Sequence, residues 1–274
     1  MNIICYGAGR TDKPENTLMA IEHCVQLNKN WTVHIDIHLS KDGEVILFKD
    51  DNTKRICNQD LEISNLNFQE IQQLDVAYNF QQNGKFPLRG KKISIPTLNE
   101  VFELYPNTKF ILDIQSKDNS IIDKVIQLIK TYKLADNIIL TSKQNQIISA
   151  FRTKEEKWHY AATTVRARKI IYSNMFYLDS IIPVDAHLMI IPKCDKDSLF
   201  LRERIIAYCN QQNKKTWTWI FEGTSNDSTS MLKQINELET QGLSGIFTSS
   251  PIKMQNALNS RISSNLNTQD KVAS

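Results

Sequence analysis

No stretch of the 274-residue sequence approaches the roughly 20 consecutive apolar residues that a bilayer-spanning helix needs, so no transmembrane segment is expected. Dense blocks of lysine and arginine are also missing. The 33 basic and 30 acidic side chains are scattered and leave a net charge of only +3, which removes nucleic acid from the expected partners. Cys5, Cys24, Cys57, Cys194 and Cys209 are odd in number and widely spaced, and form neither a C-x-x-C motif nor a disulfide framework. A reducing compartment follows. Met1 runs almost directly into the first strand candidate, with no basic segment and apolar run of the kind that marks a secretory signal. The expected location is the cytoplasm, although export without a cleaved signal would leave no such mark.

What is present is a regular alternation. With 41% hydrophobic and 23% charged residues the composition is that of an ordinary globular chain. Short apolar runs suited to buried parallel strands recur at 2–5, 32–37, 45–48, 110–114, 137–140, 158–162, 188–191, 216–220 and 245–248. Helical spacing follows most of them: Leu18, Ile21 and Val25 share a face, as do Ile122, Val125 and Ile129, and Met231, Ile235 and Leu238. Strand and helix alternating eight or nine times in about 250 residues predict a (β/α)8 TIM barrel rather than an open sheet. The barrel is irregular at its second and third strands, because residues 38–44 are too few for a crossover helix and carry a turn signal at Asp42-Gly43. One domain over 1–258 is expected, with a polar insertion at about 50–95 over the top of the barrel and a polar, flexible tail at 259–274.

Chemistry in such a barrel collects at the C-terminal ends of the strands. There the run Val33-His34-Ile35-Asp36-Ile37-His38 places His34, Asp36 and His38 on one side by alternation. Two rungs of one strand cannot complete a metal shell, and Asp113, in an otherwise apolar fourth strand, is the natural third ligand for a divalent ion such as Mg²⁺, Ca²⁺, Mn²⁺ or Zn²⁺. The alternative is a hydrogen-bonded carboxylate inside the barrel. Asn16-Thr17 read as the cap of the first helix. Trp217 and Trp219 alternate on one strand, with Trp217 the candidate for the substrate pocket wall. His23, His159 and His187 read as packing or surface residues.

Six stretches then fall in a familiar order. Pro14-Glu15-Asn16-Thr17, Asp36-Ile37-His38-Leu39-Ser40-Lys41-Asp42-Gly43, Leu74-Asp75-Val76-Ala77-Tyr78-Asn79-Phe80, Ile95-Pro96-Thr97-Leu98-Asn99-Glu100-Val101, Trp217-Thr218-Trp219 and Gly245-Ile246-Phe247-Thr248-Ser249-Ser250-Pro251 together resemble the glycerophosphodiester phosphodiesterase family over about residues 3–255. The resemblance implies a phospholipase C-like phosphodiesterase barrel, a phosphoric diester hydrolase that cleaves glycerophosphodiesters to glycerol 3-phosphate and an alcohol with a divalent ion and a histidine pair. It also exposes departures. Where the family has a histidine after the first strand, this chain has Tyr6 or Cys5, depending on whether the loop to Pro14 is aligned without a gap. The Glu-x-Asp metal pair corresponds to His34 and Asp36, the second histidine to Lys49, the Glu-x-Lys of the fourth strand to Asp113-x-Gln115, and the final Thr-Asp to Thr248-Ser249.

Each proton-transfer partner in phosphodiester cleavage is typically worth about 10²–10⁴-fold. A phenol, titrating near 10 in peptides, and an ammonium, near 10.4, donate protons or hold anions but are poor bases at neutral pH. The resemblance therefore implies a hydrolase whose activity is weakened, altered or lost, with Tyr6 and Lys49 in the histidine places. His38 is a candidate catalytic replacement at the mouth, and Arg10 a phosphate contact from the first loop. The competing reading is a non-catalytic barrel, a pseudoenzyme that keeps an anion pocket at Lys49 and Arg10 for a small phosphodiester or phosphate-containing ligand.

Overall fold

Among the residues that the computed structural model describes, 1–176, 183–191, 199–220 and 228–272, the apolar runs form nine strands. They are β1 Asn2–Cys5, β2 Thr32–Leu39, β3 Val45–Leu47, β4 Lys109–Ile114, β5 Ile138–Thr141, β6 His159–Tyr160, β7 Leu188–Ile190, β8 Lys215–Trp219 and β9 Gly245–Thr248. Eight run parallel in the order β6-β5-β4-β2-β1-β9-β8-β7. The two ends of that order meet at Ala161 and Leu188, where the His187 N–H donates to the Tyr160 carbonyl at 3.0 Å and the Ala162 N–H to Leu188 at 2.8 Å. Helices between successive strands complete a nearly closed (β/α)8 barrel. Cys194 lies outside the described residues.

Alternation sorts each strand into two cores. Outward positions such as Val33, Ile35, Phe110 and Leu112 pack under the helices, against the buried faces that the helical spacing marks: Ile122, Val125 and Ile129 of Ser120–Thr131, and Met231, Ile235 and Leu238 of Ser228–Thr240. Inward positions fill the barrel with Ile4, Ile111, Ala161, Leu188, Trp217 and Phe247. Each large side chain so buried contributes about 1.5–3 kcal/mol. A third apolar cluster, with Ile46, Phe48, Ile63, Ile71, Leu74, Val76 and Ile95, holds the segment 49–96 onto the barrel.

The irregular third strand explains how that segment reaches the mouth. β1 pairs with β2 only at Thr32 and Val33, and past that point β3 runs antiparallel to β2, opposite residues Ile37, His38 and Leu39. Because β4 already holds the other edge of β2 through Ile37, β3 takes the edge that β1 leaves. Lys49, just beyond β3, is thereby carried over the end of β1.

The two ends of the barrel sequence are locked together at the same rim. Asp12 in the first loop accepts from Ser250 Oγ at 2.7 Å and from the Ile252 N–H at 2.8 Å, an anion at the start of the helix Pro251–Val272. That helix carries helical backbone through 259–272, the segment whose polar composition reads as a tail. Its packed first turns, with Met254 and Ala257 buried, supply the nucleus from which it continues.

Gly245 is the tightest point inside the barrel, since an added Cβ would stand 2.6 Å from Cδ1 and Nε1 of the buried Trp217. Replacing Gly245 with alanine is expected to cost about 1–3 kcal/mol through overpacking, read as a lower urea midpoint with an unchanged slope. An unchanged midpoint would mean that the indole moves freely.

Candidate functional site

Asp36 is the centre of the site and is 1% exposed. Its Oδ2 accepts from Asn16 Nδ2 at 3.1 Å and its Oδ1 from Gln115 Nε2 at 2.9 Å, while its own N–H donates to Asn16 Oδ1 at 2.9 Å. The reciprocal pair depends on Asn16 taking a left-handed backbone, φ +57, which asparagine tolerates better than most residues. The cap expected of Asn16-Thr17 is thus divided: Thr17 Oγ1 accepts from the Ala20 N–H at 3.2 Å and caps the helix Leu18–Leu27, whereas Asn16 turns inward to the carboxylate.

Burial, reinforced by the Asp113 carboxylate, pushes the Asp36 carboxyl above the ordinary aspartate range against the opposing pull of His34 and Lys49. Asp113 faces Asp36 directly across the β2–β4 register. His34 accepts the Gly7 N–H on Nδ1 at 3.4 Å and turns Nε2 toward Asp113 Oδ2 at 3.7 Å. His34, Asp36 and Asp113 offer ligand atoms within 4.8 Å of one another and could hold a metal ion. The donor set fits: each Asp36 oxygen keeps acceptor capacity beside its one hydrogen bond, and imidazole adds a borderline donor. For a neutral His34 to ligate through Nε2, its proton must sit on Nδ1, so the Gly7 contact would be given up.

Tyr6 and Lys49 stand beside this group. Cys5, the other residue that could take the first histidine's place, points into the outer core, where burial and neighbouring Cys24 push its thiol up. Tyr6 lines the mouth, its ring 4.8 Å from that of His34. Lys49 Nζ donates to the Tyr6 hydroxyl at 2.5 Å and lies 4.7 Å from the ring centroid. Burial alone would lower the Lys49 ammonium, but Asp36, the Tyr6 hydroxyl and Glu15 outweigh it and hold Lys49 above the usual lysine range. Glu15 in turn forms a bidentate pair with Arg55, at 2.9 and 2.5 Å.

A cavity of about 330 Å³ opens at this end of the barrel, with Tyr6, His34 and Asp113 on its floor and Lys143, Arg168 and Trp219 around it. Trp219 stacks on Phe247 at 4.8 Å, giving the cavity one aromatic wall. The volume lies within the range of small-ligand pockets, about 300–1,000 Å³. Arg10 stays at the exposed edge, its guanidinium 5.3 Å from the Tyr6 ring.

Two expected site residues lie elsewhere. His38 does not join the metal group: it sits where β2 pairs with β3, Nδ1 accepting the Leu39 N–H at 2.9 Å and Nε2 3.4 Å from Asp51 Oδ1. Trp217 lines a cavity at the opposite end, because two residues of strand rise, about 6.6 Å, separate it from Trp219 along the same inner face. Lys143 and Arg168 went unnoticed in the sequence. Lys143 follows the end of β5, where the rule that sites gather at C-terminal strand ends would have found it, whereas Arg168, within the helix Thr164–Met175, has no such signal.

The site is thus a buried acidic and imidazole cluster at the C-terminal mouth of a (β/α)8 barrel, beside a cation-edged cavity. The chain matches the Glycerophosphoryl diester phosphodiesterase family over residues 7–253 and belongs to that family. It is 25% identical over 246 residues to a glycerophosphodiester phosphodiesterase of Bacillus altitudinis, covering 87% of this chain and 90% of that one. It is 35% identical over 133 residues to human lysophospholipase D GDPD1, covering 47% of this chain and 41% of that protein, so this match spans less than half of the relative. The glycerophosphoryl diester phosphodiesterase domain of a Mycobacterium tuberculosis protein superposes with a TM-score of 0.77 at 19% identity, over 93% of this chain and 98% of that one. An Oleispira antarctica phosphodiesterase in complex with the product sn-glycerol-3-phosphate superposes with a TM-score of 0.69 at 21% identity, over 94% and 97%. At these identities the superpositions establish the fold.

The raised Asp36 carboxyl sets a pH dependence. Folded and unfolded chains both hold this proton in acid; as pH rises the unfolded chain releases it first, so the contribution of Asp36 to stability is lost as pH climbs through the elevated folded value. With chelator present, Asp36→Asn is expected to match the parent protein near pH 4 and to melt above it near pH 7. Equal melting temperatures at both pH values would contradict the burial cost.

Proposed function

We propose that this chain binds the glycerophosphoryl part of a phosphodiester or phosphomonoester at the barrel mouth, around a divalent ion, and hydrolyses glycerophosphodiesters only slowly. The observation that carries the reading is the contact of the Lys49 ammonium with the Tyr6 hydroxyl beside the His34, Asp36 and Asp113 group. That pairing offers a cation for phosphoryl oxygens and a phenol able to donate a proton to a leaving oxygen. A base at the attacking hydroxyl is the missing part, since Lys49 is held protonated and His34 is engaged by Gly7 and Asp113.

Asp36 and Asp113 would hold the ion, with His34 completing the set, and a bound divalent ion would neutralise phosphoryl charge. An imidazole among the ligands favours Mn²⁺ or Zn²⁺ over Mg²⁺ or Ca²⁺. Lys143 and Arg168 give the cavity edge the charge to receive an anion, and Arg10 adds to it from the first loop. The buried free thiols Cys5, Cys24, Cys57 and Cys209 support a reducing compartment, the cytoplasm being the simplest. Among the described residues no helix is long and apolar enough to cross a membrane. A second reading, binding without any turnover, draws on the same Lys49–Tyr6 bond, because a phenol held in this way has no partner base.

The test is hydrolysis of glycerophosphocholine with Mg²⁺, Ca²⁺, Mn²⁺ or Zn²⁺, alongside the Tyr6→His/Lys49→His double variant. The parent protein is expected to turn over weakly or not at all, and the double variant to gain about 10²-fold or more. Brisk turnover by the parent that disappears in Asp36→Ala would show that Tyr6, Lys49 and the cluster already form a complete catalytic set.

A further inference from the structure

The opposite, N-terminal end of the barrel holds a second cavity, of about 560 Å³, larger than the one at the mouth and unused by the proposed chemistry. Strand alternation explains its character. Lys109 shares the inner face of β4 with Ile111 and Asp113, Lys215 that of β8 with Trp217 and Trp219, and His159 that of β6 with Ala161. Each is the first inward position of its strand. Lys214 and His187, at the entries to β8 and β7, add to the same lining, and the imidazoles of His159 and His187 meet edge to face at 5.1 Å.

Little in the described lining offsets the lysines, although the Met1 ammonium there pairs with Glu239. Among the described residues lining the cavity Asp136 is the one acid, and none of the three lysines forms an ion pair. After burial, the largest effect, His159 together with Lys214, Arg152 and Lys215 holds His187 below the ordinary histidine range, as a positive field does. A second observation points to a ligand. Trp217 lines the cavity at 2% exposure, and its indole Nε1 is buried with no hydrogen-bond partner. Buried indole N–H groups ordinarily find an acceptor. The Nε1 edge packs tightly against Gly245, whose neighbour Ser244 stands on the cavity wall.

We propose that this floor cavity is an anion-binding site for a compact phosphorylated ligand, gripped by Lys109, Lys214 and Lys215 over an inner wall formed by the Trp217 indole. Spherical anions satisfy one or two donors, whereas linked tetrahedral phosphoryl groups present acceptors to several cations at once. The neutral side chains of Asn2, Thr32 and Ser244 complete a polar lining suited to phosphoryl oxygens.

The probe is inorganic pyrophosphate, followed by the indole N–H resonance of Trp217 in ¹H–¹⁵N spectra and assigned with Trp217→Phe. A saturable shift is expected, with sulfate or chloride at matched ionic strength producing much less. Lys109→Gln/Lys215→Gln should weaken binding about tenfold or more, since each variant side chain loses a charge-assisted contact to the anion. Lys143→Gln/Arg168→Gln at the mouth should leave the Trp217 response intact, which separates this site from the one proposed for the glycerophosphoryl ligand. An unmoved Trp217 signal, an equal response to sulfate, or loss of the response only in the mouth variant would each overturn the proposal.

Discussion

A carboxylate sealed inside an apolar barrel is the constraint around which this molecule is arranged. Asp36 can occupy its place only because partners converge on it from separate parts of the chain: the amides of Asn16 from the first loop and Gln115 from beyond β4, which donate to it, and the charge of Lys49 from beyond β3. Each partner needs its own piece of local structure. Asn16 needs a left-handed backbone, Gln115 the parallel register that sets β4 beside β2, and Lys49 the antiparallel β3 on the edge that β1 vacates. A stable core alone would not select this arrangement, because an apolar residue at position 36 would remove the cost. Retaining a buried carboxyl with a raised pKa makes position 36 the candidate functional site.

The surroundings of that charge decide what it can do. In the family to which the chain belongs, phosphodiester cleavage is the named activity, and here the cluster meets a phenol and an ammonium bonded to each other. Both are donors to an anion. The mouth cavity repeats the theme with Lys143 and Arg168, and its aromatic wall of Trp219 on Phe247 offers an apolar surface for the remainder of a ligand. Under the proposed reading the site is built more to attract phosphate than to activate a nucleophile.

Much of the fold was legible in the sequence because buried parallel strands are short apolar runs, and β1 and β9 begin and end where those runs do. The helix faces at Ile122, Val125 and Ile129 were legible for a similar reason, since 3.6-residue spacing is a local property. The grouping of His34, Asp36 and Asp113 was readable from alternation plus one acid in an apolar strand. What stayed hidden depends on where strands sit relative to one another. His38 keeps the parity of His34 and Asp36, yet the change of strand partner to β3 takes it to Asp51. Trp217 keeps the parity of Trp219, yet height along the barrel sends them to opposite cavities. Asn16 looked like a cap because its type suits caps, and only the tertiary fold reveals the Asp36 partner.

The central claim is that Asp36 anchors an ion-dependent phosphate site. Titration with Mn²⁺, followed by the electron paramagnetic resonance signal of the free ion, tests it most directly in the presence and absence of glycerol 3-phosphate. The account predicts that the parent protein binds one Mn²⁺, that glycerol 3-phosphate tightens this binding, and that Asp36→Ala, shown to be folded, loses both effects. Identical Mn²⁺ titrations of parent and Asp36→Ala, with no response to glycerol 3-phosphate, would contradict it.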